Sequence, residues 1–376
     1  MAYIGASPPA TALTASDIAD GIISTAKLAA DAVTVPKLDD SIDHINFKNR
    51  LINGDMAVAQ RGTSFTSATR NTNNDDAYHL DRWYVLSDTN DVVDITQSST
   101  APTNQLYSCA LDVETANKKF GIAQIIENKN CTGLIGQTAT LSFKAKCSAV
   151  DKLDNVKAAI ISWSSTADAV TSDFVSAWGV EGTNPTLASN LTYENTPANL
   201  SVTTSWATYS VSADIDTSST TNVAVFIWSD VTDTTAGQFL YITDVQLEVA
   251  AAATDFERIP YDVNFERCLR YYNKIVSGTG VHIAHMGYNT SSNLAGSIHL
   301  SPFMRANPSL DITTGTDYYR SYRDGGSDDF NGFALDTSRP NYIYVYDNAT
   351  ASGTAGYAAI VNTANSSAYI AADAEL

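Results

Sequence analysis

Nine times between residues 82 and 248 the chain returns to a short apolar or alternating run, and each time turn-forming residues close it. The runs begin at Arg82 (RWYVL), Val92 (VVDITQ), Tyr107 (YSCALDVE), Phe120 (FGIAQIIE), Ala139 (ATLSFKAKC), Val156 (VKAAIISW), Trp206 (WATYSVSADI), Val223 (VAVFIWS) and Phe239 (FLYITDVQLE). Strict alternation in ATLSFKAKC predicts a strand with one buried and one wetter face. VAVFIWS is apolar throughout, as a central strand is. Runs too short for stable helices, at this spacing, predict an all-β two-sheet sandwich of the jelly-roll kind over 46–260. Trp83, Trp163, Trp206 and Trp228 lie in or beside these runs, where core packing is their default role.

At 376 residues the chain exceeds what one core supports, so at least two units are expected. A second β-rich domain is predicted over 276–376. Its strands are read from Val281 (VHIAHM), Ala295 (AGSIHLSPF), Ser309 (SLDIT), Asp317 (DYYRSY), Asn331 (NGFALD), Asn341 (NYIYVYD), Tyr357 (YAAIVN) and Ala368 (AYIAA). Between the domains, Phe265, Leu269 and Tyr272 follow helical spacing, with Asp262 at the start and Lys274 near the end. This predicts a linking helix over 261–275. At the other end, IADGIISTAKL (18–28) is echoed by ADAVTVPKL (30–38). Two such units cannot bury a core alone, so 1–45 reads as an extended segment that stacks on neighbouring copies or serves as a tether.

Charge excludes several partners. Acids outnumber bases 41 to 22, and the net charge of −19 repels phosphate backbones and anionic membranes. No apolar run approaches the roughly 20 residues that span a bilayer. MAYIGASPPATAL lacks the basic start of a secretory signal. Neither nucleic-acid binding nor membrane insertion is therefore expected. Cys109, Cys131, Cys147 and Cys268 match no zinc spacing and read as buried free thiols. No metal and no cofactor is expected. DGGSDD (324–329) offers hard oxygen ligands but not the spacing of a calcium loop, and reads as a solvated turn. His282 and His285, three apart in a regular strand, fall on opposite faces, which is wrong for a shared metal. No GxSxG, HExxH, P-loop or GxGxxG stands in a credible context, so an enzyme is not expected.

Two stretches stand apart from the Ser/Thr/Asn-rich background: LINGDMAVAQRGTSF (51–65), followed by DRWYV (81–85), and DVQLEVAAAATDFERIPYDVNFERCLRYY (244–272). They resemble the opening and closing edges of a jelly-roll domain common in bacteriophage tail fibres and other virion structural proteins. SPFMRANPSL (301–310) resembles a strand that often follows it. The resemblance covers about residues 1–310, and its middle matches in β texture only. It implies a framework role for these residues, with Gly54 and Gly62 in tight turns. Arg61 and Arg82 would pin loops, with Glu248 and Glu257 as plausible partners. AYIG and the Lys-Leu units resemble fibre attachment segments, which implies that Tyr3, Ile4 and Gly5 contact other tail or adaptor proteins. The family further implies a homotrimer exposed on the virion tail that binds a host-surface glycan. Rivals are a head or neck fibre or decoration protein without a receptor role, and a polysaccharide depolymerase.

Twelve of the nineteen tyrosines lie from Tyr261 onward, which directs the search for a binding surface to the last domain. In NYIYVYD, Tyr342, Tyr344 and Tyr346 share one face while Ile343 and Val345 share the other. With the aliphatic pair inward, the tyrosines form an exposed row suited to the faces and hydroxyls of sugars, or to a subunit interface. Tyr318, Tyr319 and Tyr322, with Arg320 and Arg323, extend this candidate glycan surface.

Overall fold

The computed structural model describes residues 47–67 and 72–376, and these are nearly all β. The repeat units and Tyr3, Ile4 and Gly5 lie outside the described residues. Two antiparallel sheets form a β-sandwich. One runs in the order Ser64–Phe65, Val93–Ser98, Ser108–Val113, Phe239–Val249, Thr138–Cys147, Ala207–Asp214. The other runs Leu191–Tyr193, Val156–Trp163, Asn222–Ser229, Phe120–Ile126, Tyr84–Ser87. From Phe120 onward the chain repeatedly crosses between sheets, so sequence neighbours face each other across the core. Leu141, Phe143 and Ala145 meet Val223, Val225 and Ile227 in that core. The alternation of 139–147 sets this directly, because residues two apart share a face. All four cysteines are free and buried.

The five-stranded sheet is buried on its second face as well. Residues 164–190 fold over it and bring Val170, Phe174 and Trp178 against Tyr84, Phe226 and Trp228, with Leu191 of the edge strand in the same cluster. Phe226 and Trp228 stack at 4.7 Å, and Trp178 meets Phe226 edge-on at 5.9 Å. A buried charge cluster fastens this cover. Asp230 pairs with Lys119 at 2.5 Å and Lys157 at 2.8 Å, and the Lys119 ammonium also donates to the Val180 carbonyl. Every residue of Asn222–Ser229 is thus buried, which explains its unbroken apolar run.

The two distinctive stretches meet. Asn49 donates its side-chain amide to the Val245 carbonyl and accepts from the Leu247 N–H, while its own N–H reaches Glu257. Asn53 ties the Val58 and Asp81 carbonyls together, and the Trp83 indole donates to the Asn53 carbonyl. Gly54 is needed for close approach, since a Cβ there would strike the Val245 carbonyl. Glu248 is spent on Gln246 and Thr254.

The partners expected for Arg61 and Arg82 need correction. Arg61 pairs with Asp373 at 3.1 Å and with Glu375 at 3.4 Å, and Arg82 pairs with Glu375. The guanidiniums lie 3.7 Å from the ring centres of Tyr272 and Tyr271 respectively. Arg305 donates to the Ala374 and Glu375 carbonyls, and the Tyr78 hydroxyl donates to Leu376. Residues 373–376 are therefore sewn into the sandwich.

The helix is shorter than the periodicity implied. It spans Tyr261–Leu269, and Tyr272 instead begins the strand Tyr272–Ser277. Pairing with Tyr369–Asp373 and the ring contact with Arg61 outweigh local helical spacing. That strand belongs to a three-stranded sheet, Tyr272–Ser277, Tyr369–Asp373, Ser309–Ile312. A seven-stranded sheet follows the order Gly326–Phe330, Tyr319–Arg323, Ala358–Thr363, His282–Thr290, Asn293–His299, Tyr342–Asp347, Ala334–Arg339. The two enclose a core that includes Tyr288, Leu294, Tyr319, Phe330, Ile343, Val345, Val361 and Ile370.

Candidate functional site

Strand Tyr342–Asp347 alternates as its sequence requires. Ile343 and Val345 are fully buried, and Tyr342, Tyr344 and Tyr346 stand half-buried on the opposite face. The strand's last residue fixes the following turn, because the Asp347 carboxylate accepts from the N–H groups of Thr350 (2.8 Å) and Ala351 (2.6 Å).

Register assembles the rest of the face. Tyr344 is flanked by Ser297 and Thr337, Tyr342 by His299 and Arg339, and Tyr346 by Ala295 and Ala334. Most of these neighbours are shorter than the rings they flank. Further along the sheet His285 opposes Ile360, and Ile360 opposes Tyr322. Ile360 and Tyr322 are 45% and 43% exposed, values that set them among the more open large apolar residues. Gly287, beside Ala295 and Ala358, has open space where a side chain would stand. Arg320 pairs with Asp329 across the hairpin at the sheet's far edge, and this hydrogen-bonded guanidinium holds the Asp329 carboxyl below its usual range. Asp328 accepts from the Ser352 N–H, and of the DGGSDD segment, expected as a solvated turn, only Asp324 and Gly325 turn while the rest belongs to the strand Gly326–Phe330.

Two expectations about this region are corrected. Tyr319 is a core residue. It is fully buried, 5.3 Å from Phe333, with its hydroxyl donating to the Thr313 and Tyr369 carbonyls. Tyr318 packs half-buried against the same core, so Tyr322 alone of the three reaches the outer face. Second, His282 and His285 share one face. A register shift between His282 and Ala284 adds a residue to the strand, and the rings come to 5.1 Å in a T-shaped contact. Both are exposed, and His282 meets the Asn362 side chain at 3.3 Å. No group of three or more His, Cys, Asp or Glu able to hold a metal occurs among the described residues.

The face therefore combines flat rings, hydroxyls and ring nitrogens on a rigid sheet. Successive tyrosines on one strand face stand about 7 Å apart. Such a surface offers stacking planes with a hydrogen-bonding tip on each plane. His285, His299 and Ile360 were missed from the sequence. Only the strand register places them beside the tyrosines, and no local motif marks them.

No protein-family model matches this chain, and no curated protein matches it. Among solved structures it is similar to the enzymatically active domain of tailspike protein 4 of bacteriophage CBA120, at 13% identity and a TM-score of 0.31. That match covers 54% of this chain and 22% of the tailspike. It is similar to the CBM22-1 xylan-binding domain of Xyn10C from Paenibacillus barcinonensis, at 12% identity and a TM-score of 0.28, over 52% of this chain and 94% of that domain. A third likeness is to the CBM22-1 and GH10 modules of xylanase 10B from Clostridium thermocellum, at 13% identity and a TM-score of 0.30, over 46% of this chain and 27% of that one.

Proposed function

We propose that this chain is a non-catalytic structural protein of a bacteriophage particle, a homotrimeric tail fibre on the virion surface that binds a host-surface glycan. The observation that carries the reading is the row Tyr342, Tyr344 and Tyr346 on the outer face of the seven-stranded sheet. Tyrosine contributes ring area at low entropic cost and a hydroxyl that exchanges hydrogen bonds with sugar hydroxyls. Three copies in one trimer would raise weak single-site binding by roughly 10²–10⁴ where geometry allows. The meeting of the two distinctive stretches, where the Asn53 N–H donates to the Asn264 side chain and the Gly54 carbonyl accepts from Val245, supports the resemblance on which the virion assignment rests.

A second reading is favoured by the exposed Ile360 and Tyr322, which suit an interface between copies. In that reading the chain is a head or neck fibre or a decoration protein. One experiment separates the two. The full chain and its Tyr342→Ala/Tyr344→Ala/Tyr346→Ala variant are compared for binding to host cells, to extracted surface glycan, and for assembly state. Glycan binding lost with assembly intact supports receptor recognition. Assembly lost with the substitutions supports the interface, and unchanged behaviour in both assays rules out a role for this face.

A further inference from the structure

Four of the five tryptophans are buried; Trp206 is not. It stands just before the edge strand Ala207–Asp214 and lines a groove of about 460 Å³ with Pro102, Thr103, Lys144, Ala207 and Thr208. That volume suits a small ligand of the kind that pockets hold. The groove lies on the outer surface of the six-stranded sheet, well away in sequence from the tyrosine row.

Its chemistry is unusual for this chain. Lys146 pairs with Tyr241 across the strands, and its ammonium lies 5.0 Å from the Tyr241 ring centre and 5.6 Å from that of Trp206. No carboxylate lies within ion-pair distance of Lys146 among the described residues, although the sequence holds 41 acids to 22 bases. Lys144, two residues earlier on the same face, is a second cation, held by Asp244 at 2.9 Å. Trp206 and Tyr241 themselves meet edge-on at 6.3 Å. The groove therefore presents an indole, two threonine hydroxyls and the Lys144 ammonium, with the Lys146 ammonium beside the indole.

We propose that this groove is a second, separate binding site, and that its ligand is an acidic saccharide of the uronate class. The indole offers a plane for the apolar face of a pyranose ring. Thr103 and Thr208 can exchange hydrogen bonds with its hydroxyls. Lys146 and Lys144 meet the carboxylate, which a net charge of −19 would otherwise repel. A neutral sugar leaves the Lys146 ammonium without a carboxylate, whereas Lys144 already has Asp244, so charge complementarity at Lys146 selects the acidic one. The proposal does not depend on the tyrosine face.

The test is titration calorimetry of the full chain with an oligogalacturonate hexamer and with the same hexamer after its carboxyls are reduced to alcohols. The acidic hexamer is expected to bind at least tenfold more tightly. Trp206→Ala should weaken that binding at least tenfold, whereas Trp206→Tyr, which keeps a ring plane, should retain most of it. Lys146→Met should remove the preference for the acidic form. The Tyr342→Ala/Tyr344→Ala/Tyr346→Ala variant should bind the hexamer as the parent does, which separates this site from the first. Binding of neither hexamer, equal affinity for both, or indifference to Trp206→Ala would each overturn the proposal. So would finding Trp206 covered by a second copy of the chain, read as a shift of its fluorescence on dilution.

Discussion

Strands Asn222–Ser229 and Tyr342–Asp347 hold comparable places, each inside a sheet with a strand on either side. Their second faces have opposite fates. In the sandwich, residues 164–190 cover Phe226 and Trp228, and the strand is buried at every position. In the distal sheet Tyr342, Tyr344 and Tyr346 remain half-open, and the strand is buried at alternate positions. Both faces are rich in aromatic rings. What differs is the presence of an intramolecular cover, and with it whether those rings stabilise the fold or remain available to something outside it. An aromatic content alone says little about function; a register that leaves rings uncovered says much more.

This contrast can be broken by substitution. Trp228→Ala should cost about 3–5 kcal/mol in urea unfolding, because it opens a cavity beneath the cover. Tyr344→Ala should cost at most about 1 kcal/mol while abolishing glycan binding at that face. Equal destabilisation would show that the tyrosine row is core-like and end the comparison. Arg82→Ala tests a third kind of burial. It removes one side of a buried ion pair and a ring contact, and should cost about 3 kcal/mol, with Arg61 still facing Glu375. A smaller loss, with unfolding of the sandwich unchanged, would mean that residues 373–376 dock only weakly.

The smallest effect concerns charge on the sandwich's outer surface. Asp94 and Asp112 are directly opposed across adjacent strands. Burial, helped by Glu114, Asp91 and Asp112, pushes the Asp94 carboxyl up to about 6. A raised folded value means that its protonated form favours folding below about 4. That contribution is lost as pH rises through 6. Asp94→Asn should therefore raise the thermal midpoint at pH 7.5, by up to about 1 kcal/mol in stability, and give no gain at pH 4. A gain of equal size at both pH values would assign the effect to packing.

The sequence made most strands legible because burial on one face writes a period of two into the residues. VKAAIISW and FLYITDVQLE were placed to within a residue or two of their ends. The tyrosine row followed from the same rule. The rule failed at His282 and His285, where one inserted residue turned opposite faces into one face. It failed again at Tyr272, whose spacing from Phe265 and Leu269 suits a helix although its pairing partner lies a hundred residues away. The acidic partners of Arg61 and Arg82 lie some three hundred residues off, and no local signal announces them. The cover over Trp228 was unreadable for a related reason. Val170, Phe174 and Trp178 recur every four residues, a spacing that suits a helix, yet the chain there forms turns and the short strand Val175–Ala177, so the local period misreports the structure.

The stitching of residues 373–376 has a mechanical meaning. In the fibre proposed above, load would run from the gripping face to the base. Here a tug on the outer sheet need not travel through the covalent crossing near residue 260. It can pass along the strand Tyr369–Asp373 into Arg61 and Arg82, so that ionic clasps share the strain with the peptide chain.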